Sequence, residues 1–334
     1  MVQCAIGIAG AGSIGCYVGG VLAADGRDVA MLARPRVIEE ISRYGLRLTS
    51  FDGLDRLLPA AGLLLSDDPA LFHNAGIILV TVKCSDTAEL AELIALHAPD
   101  DAVIVSLQNG IGNVEALQQR LPRHRVLGGM VPFNVVAMGE GRVHRATSGD
   151  ILVAGDAAGT AQALSVPGLR IRATDDIAGV QWGKLVVNLS NALNALSGLP
   201  LGQQLAQREW RALFADQMAE GLGVIAAAGI RPVSPTPLPM ALTPHLLRLP
   251  DLLFKALLGR TMKIDPHARS SMWEDLQRGR RTEIDYLQGV IVERAAQLGL
   301  KVPLVQRVMD LVEAAEVAGR GSPGLTAAEI RGAF

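Results

Sequence analysis

The stretch Ile6-Gly7-Ile8-Ala9-Gly10-Ala11-Gly12-Ser13-Ile14-Gly15 decides the fold of this chain. It runs from a short apolar segment, typical of a buried strand, into the pattern Gly-x-Gly-x-x-Gly and then into a helix-forming segment. In such a unit the first glycine permits a tight turn, the second lets a pyrophosphate approach the backbone, and the third lets helix and strand pack closely. The helix N-terminus then faces the phosphate charge. The pattern predicts a dinucleotide site at Gly10, Ala11, Gly12, Ser13, Ile14 and Gly15, with a purely structural glycine turn as the alternative.

The N-terminal stretch from Val2 to Ala24 carries no charged side chain, as in a signal peptide or a membrane span. However, no Lys or Arg precedes the apolar stretch, and glycines interrupt it repeatedly. We therefore expect a buried strand followed by a closely packed helix, and no membrane partner.

Composition restricts the possible classes of protein further. The 334 residues exceed the ~100–200 usual for one domain, so two domains are expected. With 49% hydrophobic and 19% charged residues the chain is not intrinsically disordered, and a net charge of -2 gives no indication of a nucleic-acid partner. The three cysteines form no CxxC pair and the six histidines show no metal-ligand spacing, which predicts a cytoplasmic setting and no bound metal.

Two patterns divide the chain. In the first part, apolar strand-like runs alternate with amphipathic helices, which is typical of a parallel sheet covered by helices, and short strands between Arg142 and Ala173 are expected to extend that sheet. The second part of the chain shows the hydrophobic periodicity of long helices. We predict an α/β Rossmann-type doubly wound domain over residues 1–175 and an all-α substrate and dimerisation domain over 176–334. The predicted strands are Cys4–Ala9, Val29–Leu32, Ile77–Val82, Ala102–Leu107 and Val126–Val131, and the helices between them are Ile14–Ala24, Ser85–His97 and Asn113–Arg120.

The residues after the strand Val29–Leu32 distinguish between the two nicotinamide dinucleotides. An NAD-binding chain places Asp or Glu there, to bond the ribose 2′-hydroxyl. Here Ala33-Arg34-Pro35-Arg36 follows, which lacks an acid and offers Arg34 to a 2′-phosphate, unless the arginines are merely solvated. NADPH is therefore the predicted cofactor. Lys83, after the strand Ile77–Val82, is predicted to add charge at the same sheet edge, with an ordinary surface lysine as the alternative.

Asn109, in Gln108-Asn109-Gly110, follows the next predicted strand, whose carboxyl end lies at the same sheet edge. Its amide both donates and accepts hydrogen bonds, which suits a nicotinamide or substrate group. Asn-Gly is equally a common turn dipeptide, so both interpretations stay open.

A nearly all-apolar helix, predicted over Ile177–Leu196, carries one narrow polar stripe. Lys184, Asn188 and Asn191 lie at i, i+4 and i+7 and therefore share one face. Because Asn is a mediocre helix former, we expect the stripe to line a cleft rather than to face solvent. Partial desolvation there lowers the pKa of a lysine, as a general acid requires. Hydrogen bonding of the stripe to the neighbouring domain is the alternative.

Two blocks in the last third of the chain complete the candidate residues. Ser270-Ser271-Met272 precedes Thr282-Glu283-Ile284-Asp285-Tyr286, in which Thr282 is predicted to cap a helix with Asp285 in the capping-box position. Glu283 then lies in the first turn, where the helix dipole favours its ionised form, useful for holding a hydroxyl. A purely structural cap is the alternative for Glu283.

The glycine motif, Val82-Lys83, Gln108-Asn109-Gly110, Lys184-Leu185-Val186-Val187-Asn188 and the two C-terminal blocks together resemble the ketopantoate reductase family over nearly the whole chain. The resemblance implies 2-dehydropantoate 2-reductase activity, the NADPH-dependent reduction of ketopantoate to pantoate on the route to coenzyme A. It also implies roles for individual residues: Lys184 as general acid, Glu283 in substrate positioning, Asn188 and Ser271 in substrate contact, Asn109 beside both the nicotinamide ribose and the substrate, and Arg34 with Lys83 at the adenosine 2′-phosphate.

One departure from the family pattern concerns the substrate. The resemblance implies a second asparagine four residues after Asn188, but Ala192 stands there and Asn191 comes one residue earlier, about 100° away around a helix. An NADPH-dependent reductase of another branched 2-oxo acid is therefore the first alternative, and a non-catalytic NADPH-binding sensor is the second. A homodimer is expected because closed two-fold assemblies are the commonest oligomers.

Overall fold

The computed structural model describes residues 5–155, 159–235, 238–258 and 268–332. The chain divides into two compact units, residues 1–178 and 179–334, whereas the sequence pattern places the boundary after residue 175. Among the described residues, strands occur only in the first unit.

The first unit forms twelve strands and five α-helices within its described residues. The strands are β1 (Ala5–Ala9), β2 (Val29–Leu32), β3 (Leu46–Ser50), β4 (Asp55–Leu58), β5 (Leu64–Ser66), β6 (Ala75–Val80), β7 (Val103–Ser106), β8 (Arg125–Met130), β9 (Val135–Gly139), β10 (Arg142–Arg145), β11 (Ile151–Ala154) and β12 (Ile171–Thr174). The helices are α1 (Ser13–Ala24), α2 (Pro35–Tyr44), α3 (Thr87–His97), α4 (Asn113–Arg120) and α5 (Thr160–Leu164).

Eight strands form one sheet, in the order β12-β11-β8-β7-β6-β1-β2-β5. All neighbouring pairs are parallel except β8 and β11. From β1 the chain passes first to β2 on one side and later to β6 on the other, so the winding reverses between β1 and β6. The carboxyl ends of the strands at such a reversal form the crevice in which doubly wound sheets bind ligands.

Apolar side chains cover both faces of this sheet. Along β1, Ile8 belongs to a core that includes α1, whereas Ala9 belongs to a second core with α3 and α4. The strand β6 alternates in the same way, with Leu79 in the first core and Val80 in the second. Because successive side chains of a strand point to opposite faces, a sheet buried on both sides requires the near-continuous apolar runs seen in the sequence. The predicted Rossmann-type doubly wound class is confirmed.

A second, four-stranded sheet has the order β4-β3-β10-β9. It contains β10, so the expectation that the segment after Arg142 extends the main sheet is wrong for this strand and right for β11 and β12. The physical reason is that β10 pairs in parallel with β3, and Leu46, Leu48 and Val143 of these two strands are buried in the same core as α1. The sheet therefore forms on the side of α1 that the main sheet leaves open.

The helix α1 packs against both sheets. A methyl group on Gly19 would touch Ile8 of the main sheet, and one on Gly20 would touch Leu46 and Leu48 of the second sheet. Two adjacent glycines thus let one helix approach apolar surfaces on two sides, which explains why the N-terminal stretch carries no charge. Within the described residues, no helix combines the length and the apolar character needed to cross a bilayer.

All regular elements among the described residues of the second unit are helical, as predicted. Its helices are α6 (Ile177–Asn188), α7 (Ser190–Ser197), α8 (Leu201–Ala206), α9 (Arg208–Ala227), α10 (Thr243–Leu247), α11 (Asp251–Leu258), α12 (Ser271–Gln277), α13 (Val290–Gln297), α14 (Pro303–Ala318) and α15 (Ala327–Arg331), and a π-helical turn over Asp285–Gly289 leads into α13. The long helix α9 contacts α8, α10, α13, α14 and α15. Fully buried side chains such as Leu213 and Met218 of α9 and Val308 of α14 form the core.

The predicted single helix over Ile177–Leu196 is interrupted at Leu189, between α6 and α7. The fully buried side chain of Gln288, in the π-helical turn, donates a hydrogen bond to the Leu189 carbonyl at 3.0 Å. The Ser190 hydroxyl donates to the Val187 carbonyl at 2.9 Å and so competes with the helical hydrogen bonds at this point. Leu189 keeps right-handed helical dihedrals, and its amide donates to the Leu185 carbonyl at 3.0 Å. Asn188 and Asn191 therefore lie on consecutive helical segments, at the end of α6 and the start of α7.

The helix α11 covers the core of the second unit with one face only. Phe254 is buried, with its ring 4.2 Å from the guanidinium carbon of the fully buried Arg211. Leu252, Leu253 and Leu257 of the same helix are exposed.

Candidate active site

The glycine turn lies at the reversal between β1 and β6. Gly10 has a positive φ of 110°, and a methyl group there would lie 2.5 Å from a methyl carbon of Val82. A methyl group on Gly15 would overlap the Gly10 carbonyl oxygen, which also accepts a hydrogen bond from the Thr81 hydroxyl at 2.7 Å. The turn thus depends on close approach of β1, α1 and the end of β6, with no space for larger residues at these two positions.

Gly12 differs from the other two glycines of the motif. It is exposed, has an ordinary negative φ, and a methyl group built on it would meet nothing within 4 Å. Gly12 is also the N-cap of α1, and no side chain caps the helix there. The first amide groups of α1 thus remain available for an anion, so the turn fits the pyrophosphate of a dinucleotide.

Arg34 is the N-cap residue of α2, directly after β2. Its side chain is 81% exposed and pairs with the Asp86 carboxylate at 3.0 Å. Arg36 pairs with Glu40, one turn further along α2, at 3.4 Å. Arg34, which the sequence offers to a 2′-phosphate, and its neighbour Arg36 are therefore both engaged by carboxylates, and exposed pairs of this kind are weak enough to exchange for a phosphate dianion.

Lys83 and Asn109 follow β6 and β7, so both lie at the carboxyl edge that also carries the glycine turn. Buried side chains hold their backbones: Gln108 Nε2 donates to the Lys83 carbonyl at 3.4 Å, and Asn113 Nδ2 donates to the Asn109 carbonyl at 2.7 Å. The Cys84 thiol donates to the same Asn109 carbonyl at 3.0 Å. The loops that carry the two candidate residues are thereby tied to one another.

Lys184 lies on α6 and is partly buried. Desolvation lowers the pKa of its ammonium group to about 8, and the Glu283 carboxylate opposes part of this shift. A methyl group on the preceding Gly183 would overlap the Val233 carbonyl, and the Val233 amide donates to the Gly179 carbonyl at 2.8 Å. The segment after α9 therefore packs directly on the helix beside Lys184.

Glu283 is partly buried and immediately precedes the helix, rather than lying in its first turn as predicted. The Thr282 hydroxyl accepts the Ile284 amide at 3.2 Å without being the N-cap of the helix, and the amide of Thr282 itself is held by the Glu316 carboxylate at 2.7 Å. The predicted capping partner Asp285 is exposed in the π-helical turn. Glu316, more than thirty residues away in the sequence, takes its place because α14 packs on this turn.

The remaining candidate residues of the second unit occupy different environments. Asn188 and Asn191 are partly exposed, and Ser271 is exposed at the start of α12. Ala192 is fully buried, so Asn191 is the more accessible of the two neighbours.

Comparison with known proteins adds independent information. The ketopantoate reductase PanE/ApbA family matches residues 6–158, and the C-terminal part of the same family matches residues 176–316. The chain belongs to the ketopantoate reductase PanE/ApbA family. It is 30% identical to the 2-dehydropantoate 2-reductase of Halobacterium salinarum, covering 92% of this chain and 98% of that relative.

Solved structures agree with this membership. The crystal structure of a PanE/ApbA family ketopantoate reductase from Ralstonia eutropha has a TM-score of 0.80 and 31% identity, covering 94% of this chain and 99% of that one. A D-mandelate dehydrogenase, solved in a ternary structure with NADH and anilino(oxo)acetate, shares the fold with a TM-score of 0.77, 22% identity and coverage of 94% and 99%. As a member of the family, the chain is an oxidoreductase that uses a nicotinamide dinucleotide.

The sequence analysis did not identify several residues that support the site. Asp86, Gln108 and Asn113 in the first unit act through contacts that only the fold creates. Asn194 is fully buried and bonded to the backbone of Leu199, so it belongs to the framework of the reductase rather than to the polar stripe.

The glycine motif generates a prediction that separates folding from cofactor binding. Gly12→Ala lowers the melting temperature only slightly, because the methyl group meets no neighbouring protein atom and only the weaker helix cap is lost, and it raises the KM for the dinucleotide about tenfold by blocking the phosphate. Gly15→Ala instead lowers the free energy of unfolding by about 1–3 kcal/mol, because the methyl group overlaps the Gly10 carbonyl. Thermal unfolding and steady-state kinetics on both variants measure these effects. Equal loss of stability in the two variants would contradict the assignment.

Proposed function

We propose that the chain is a 2-dehydropantoate 2-reductase, which reduces ketopantoate to pantoate with NADPH. The observation that carries this proposal is the lowered pKa of Lys184 beside Glu283 in a chain of the ketopantoate reductase family. An ammonium group with a pKa of about 8 is protonated at neutral pH yet releases its proton readily, as a general acid requires.

Lys184 supplies the proton of the reaction. The bound nicotinamide, when reduced, supplies a hydride to the keto carbon. Lys184 donates a hydrogen bond to the keto oxygen and passes its proton to that oxygen as negative charge develops there. The neutral amine is tolerated afterwards because its surroundings are desolvated, and Glu283 keeps the ammonium form favoured enough to be regenerated.

The other polar residues of the second unit hold the substrate. Asn188 lies one helical turn after Lys184 on α6 and contacts the hydroxyl side of the substrate. Ser271, at the start of α12, binds the carboxylate, and Glu283 accepts a hydrogen bond from the substrate or product hydroxyl. Asn191, in the place of the asparagine that the family pattern has one residue later, is proposed as the second amide contact. Asn109 of the first unit contacts the nicotinamide ribose and the substrate.

The proposed preference for NADPH rests on the residues after β2. The family uses a nicotinamide dinucleotide, whose pyrophosphate the turn from Gly10 to Gly15 would hold, including Ala11, Ser13 and Ile14 beside Gly12. Arg34 and Lys83 would hold the 2′-phosphate, and no acid follows β2 to hold a ribose hydroxyl.

Reduction of another branched 2-oxo acid is the second candidate. A D-mandelate dehydrogenase has the same fold, so the fold alone does not determine the substrate. The replacement of an asparagine by the buried Ala192 favours this alternative, because it removes one amide from the substrate end.

The cellular location and the oligomeric state of the protein remain predictions. We propose a cytoplasmic setting, supported by Cys16 and Cys84, neither of which is in a disulfide, and by the proposed biosynthetic role. A homodimer is proposed as the assembly.

The first experiment measures steady-state oxidation of NADPH and NADH by the purified protein with ketopantoate and with a panel of other 2-oxo acids. Turnover restricted to NADPH and ketopantoate is the expected result. Turnover with a different oxo acid would change the assigned substrate and leave the assigned mechanism unchanged. Binding of NADPH without any turnover would favour the non-catalytic sensor.

The pKa of Lys184 predicts the pH dependence of the reduction. Because the general acid acts in its protonated form, kcat/KM is level below pH 8 and falls about tenfold per pH unit above it. Lys184→Ala lowers kcat by roughly 10²-fold or more and removes this dependence. The control is Lys301→Ala, which removes an exposed lysine of the same unit. Near-normal turnover in Lys184→Ala would show that another group donates the proton.

The cofactor preference depends on Arg34. Arg34→Ala raises the KM for NADPH about tenfold, because a charge-assisted contact to the 2′-phosphate is lost, and leaves the KM for NADH nearly unchanged. Arg43→Ala removes an exposed arginine of the same helix and is expected to change neither value. An equal loss with both dinucleotides in Arg34→Ala would overturn the assignment to the 2′-phosphate.

A further inference from the structure

Three consecutive residues tie the segment before α12 to the region around α7. The Ala268 carbonyl accepts the Leu201 amide at 2.9 Å, and Arg269 Nε donates to the Gly198 carbonyl at 3.1 Å. Ser270 continues the series with contacts to α7 itself. We call residues 268–270 the clasp. None of the roles proposed above uses these residues.

Ser270 is the best-connected residue of the clasp, and its side chain is only 5% exposed. Its amide donates to Asn194 Oδ1 at 2.8 Å, and its hydroxyl donates to the Asn191 carbonyl at 3.0 Å. The same hydroxyl oxygen accepts the Trp273 amide at 3.2 Å, which makes Ser270 the N-cap of α12. One side chain therefore joins the start of α12 to the start of α7.

Asn194 fixes the position of this junction. It is fully buried, and its amide nitrogen donates to the Leu199 carbonyl at 2.8 Å and to Gln204 Oε1 at 3.1 Å. With both donors engaged, its carbonyl oxygen is held toward the Ser270 amide. A buried amide is costly to leave without its partners, so the whole arrangement resists displacement.

The clasp connects two residues that the proposed function places against the substrate. Asn191 and Ser271 lie on different helices, so the contacts between α7 and α12 set the distance between them. Ser270 is bonded covalently to Ser271 and by its hydroxyl to the Asn191 carbonyl. Loss of the Ser270 hydroxyl thus removes the hydrogen bond that links these two residues.

We propose that Ser270 is a positioning residue that sets the distance between Asn191 and Ser271, and thereby the recognition of the 2-oxo acid. The inference rests on the proposed function. It also gives a physical basis for the use of Asn191 in place of an asparagine at position 192, because the Ser270 hydroxyl holds the backbone of Asn191 directly.

The test compares Ser270→Ala with a matched control, Ser197→Ala. Ser197 is also buried, lies at the other end of α7, and its hydroxyl donates to the Asn194 carbonyl and accepts the Leu199 amide, without reaching α12. Ser270→Ala is expected to raise the KM for the 2-oxo acid about tenfold or more, since small misplacements of binding groups have large effects. The KM for NADPH stays within about twofold, and Ser197→Ala leaves both KM values unchanged at a similar loss of melting temperature.

Two further variants complete the test. Ser270→Thr keeps a hydroxyl at a preferred N-cap residue and is expected to restore the KM of the wild-type protein. Ser270→Gly lacks the hydroxyl but costs a helix cap little, so it tests the inference if the alanine variant does not fold.

The outcomes separate this inference from the proposed function. Wild-type protein without turnover on any 2-oxo acid overturns both. Wild-type turnover with equal substrate KM in Ser270→Ala and Ser197→Ala overturns the positioning role alone, as does failure of Ser270→Thr to restore the KM.

Discussion

The first unit depends on one backbone contact, the approach of Gly15 on α1 to the Gly10 carbonyl at the end of β1. This contact brings the helix N-terminus against the strand, and the Thr81 hydroxyl adds the end of β6 to the same point. The open position at Gly12 lies within this turn, and Lys83 follows the same strand end two residues after Thr81. The dinucleotide turn is therefore a property of how the sheet is assembled rather than a loop added to it.

The two units support their candidate residues in the same way. In each, the side chains proposed to meet ligand are partly or fully exposed, and a neighbouring polar residue is buried and bonded to backbone. Gln108 and Asn113 bond the backbone carbonyls of Lys83 and Asn109. Asn194 accepts a hydrogen bond from the backbone amide at the start of α12. Buried amides are suited to this task because they hold backbone groups at fixed distances in a medium of low dielectric constant.

Periodicity in the sequence was sufficient to predict the central strands of the main sheet, because each is buried on both faces and reads as a short apolar run. The edge strand β5 was missed, since it has three residues and Leu64 is exposed. In the second sheet β10 was predicted as a strand but assigned to the wrong sheet, whereas β4 and β9 are largely exposed and carry no strong pattern. The Leu189 carbonyl accepts a hydrogen bond from Gln288, 99 residues away, and the pairing of Arg34 depends on Asp86. Local sequence identified the residue types of the site, whereas the contacts that orient them arise only from the tertiary structure.

The position of α1 between two sheets has a consequence for ligand discrimination. Apolar side chains surround the body of α1, so its amide groups are open to solvent only around the exposed Gly12, where the proposed pyrophosphate contact would be short and direct. Arg34 has a different setting, since its guanidinium is 81% exposed to water that contains salt. If both proposed contacts form, ionic strength acts more on the choice between phosphorylated and unphosphorylated dinucleotide than on the capture of a dinucleotide as such.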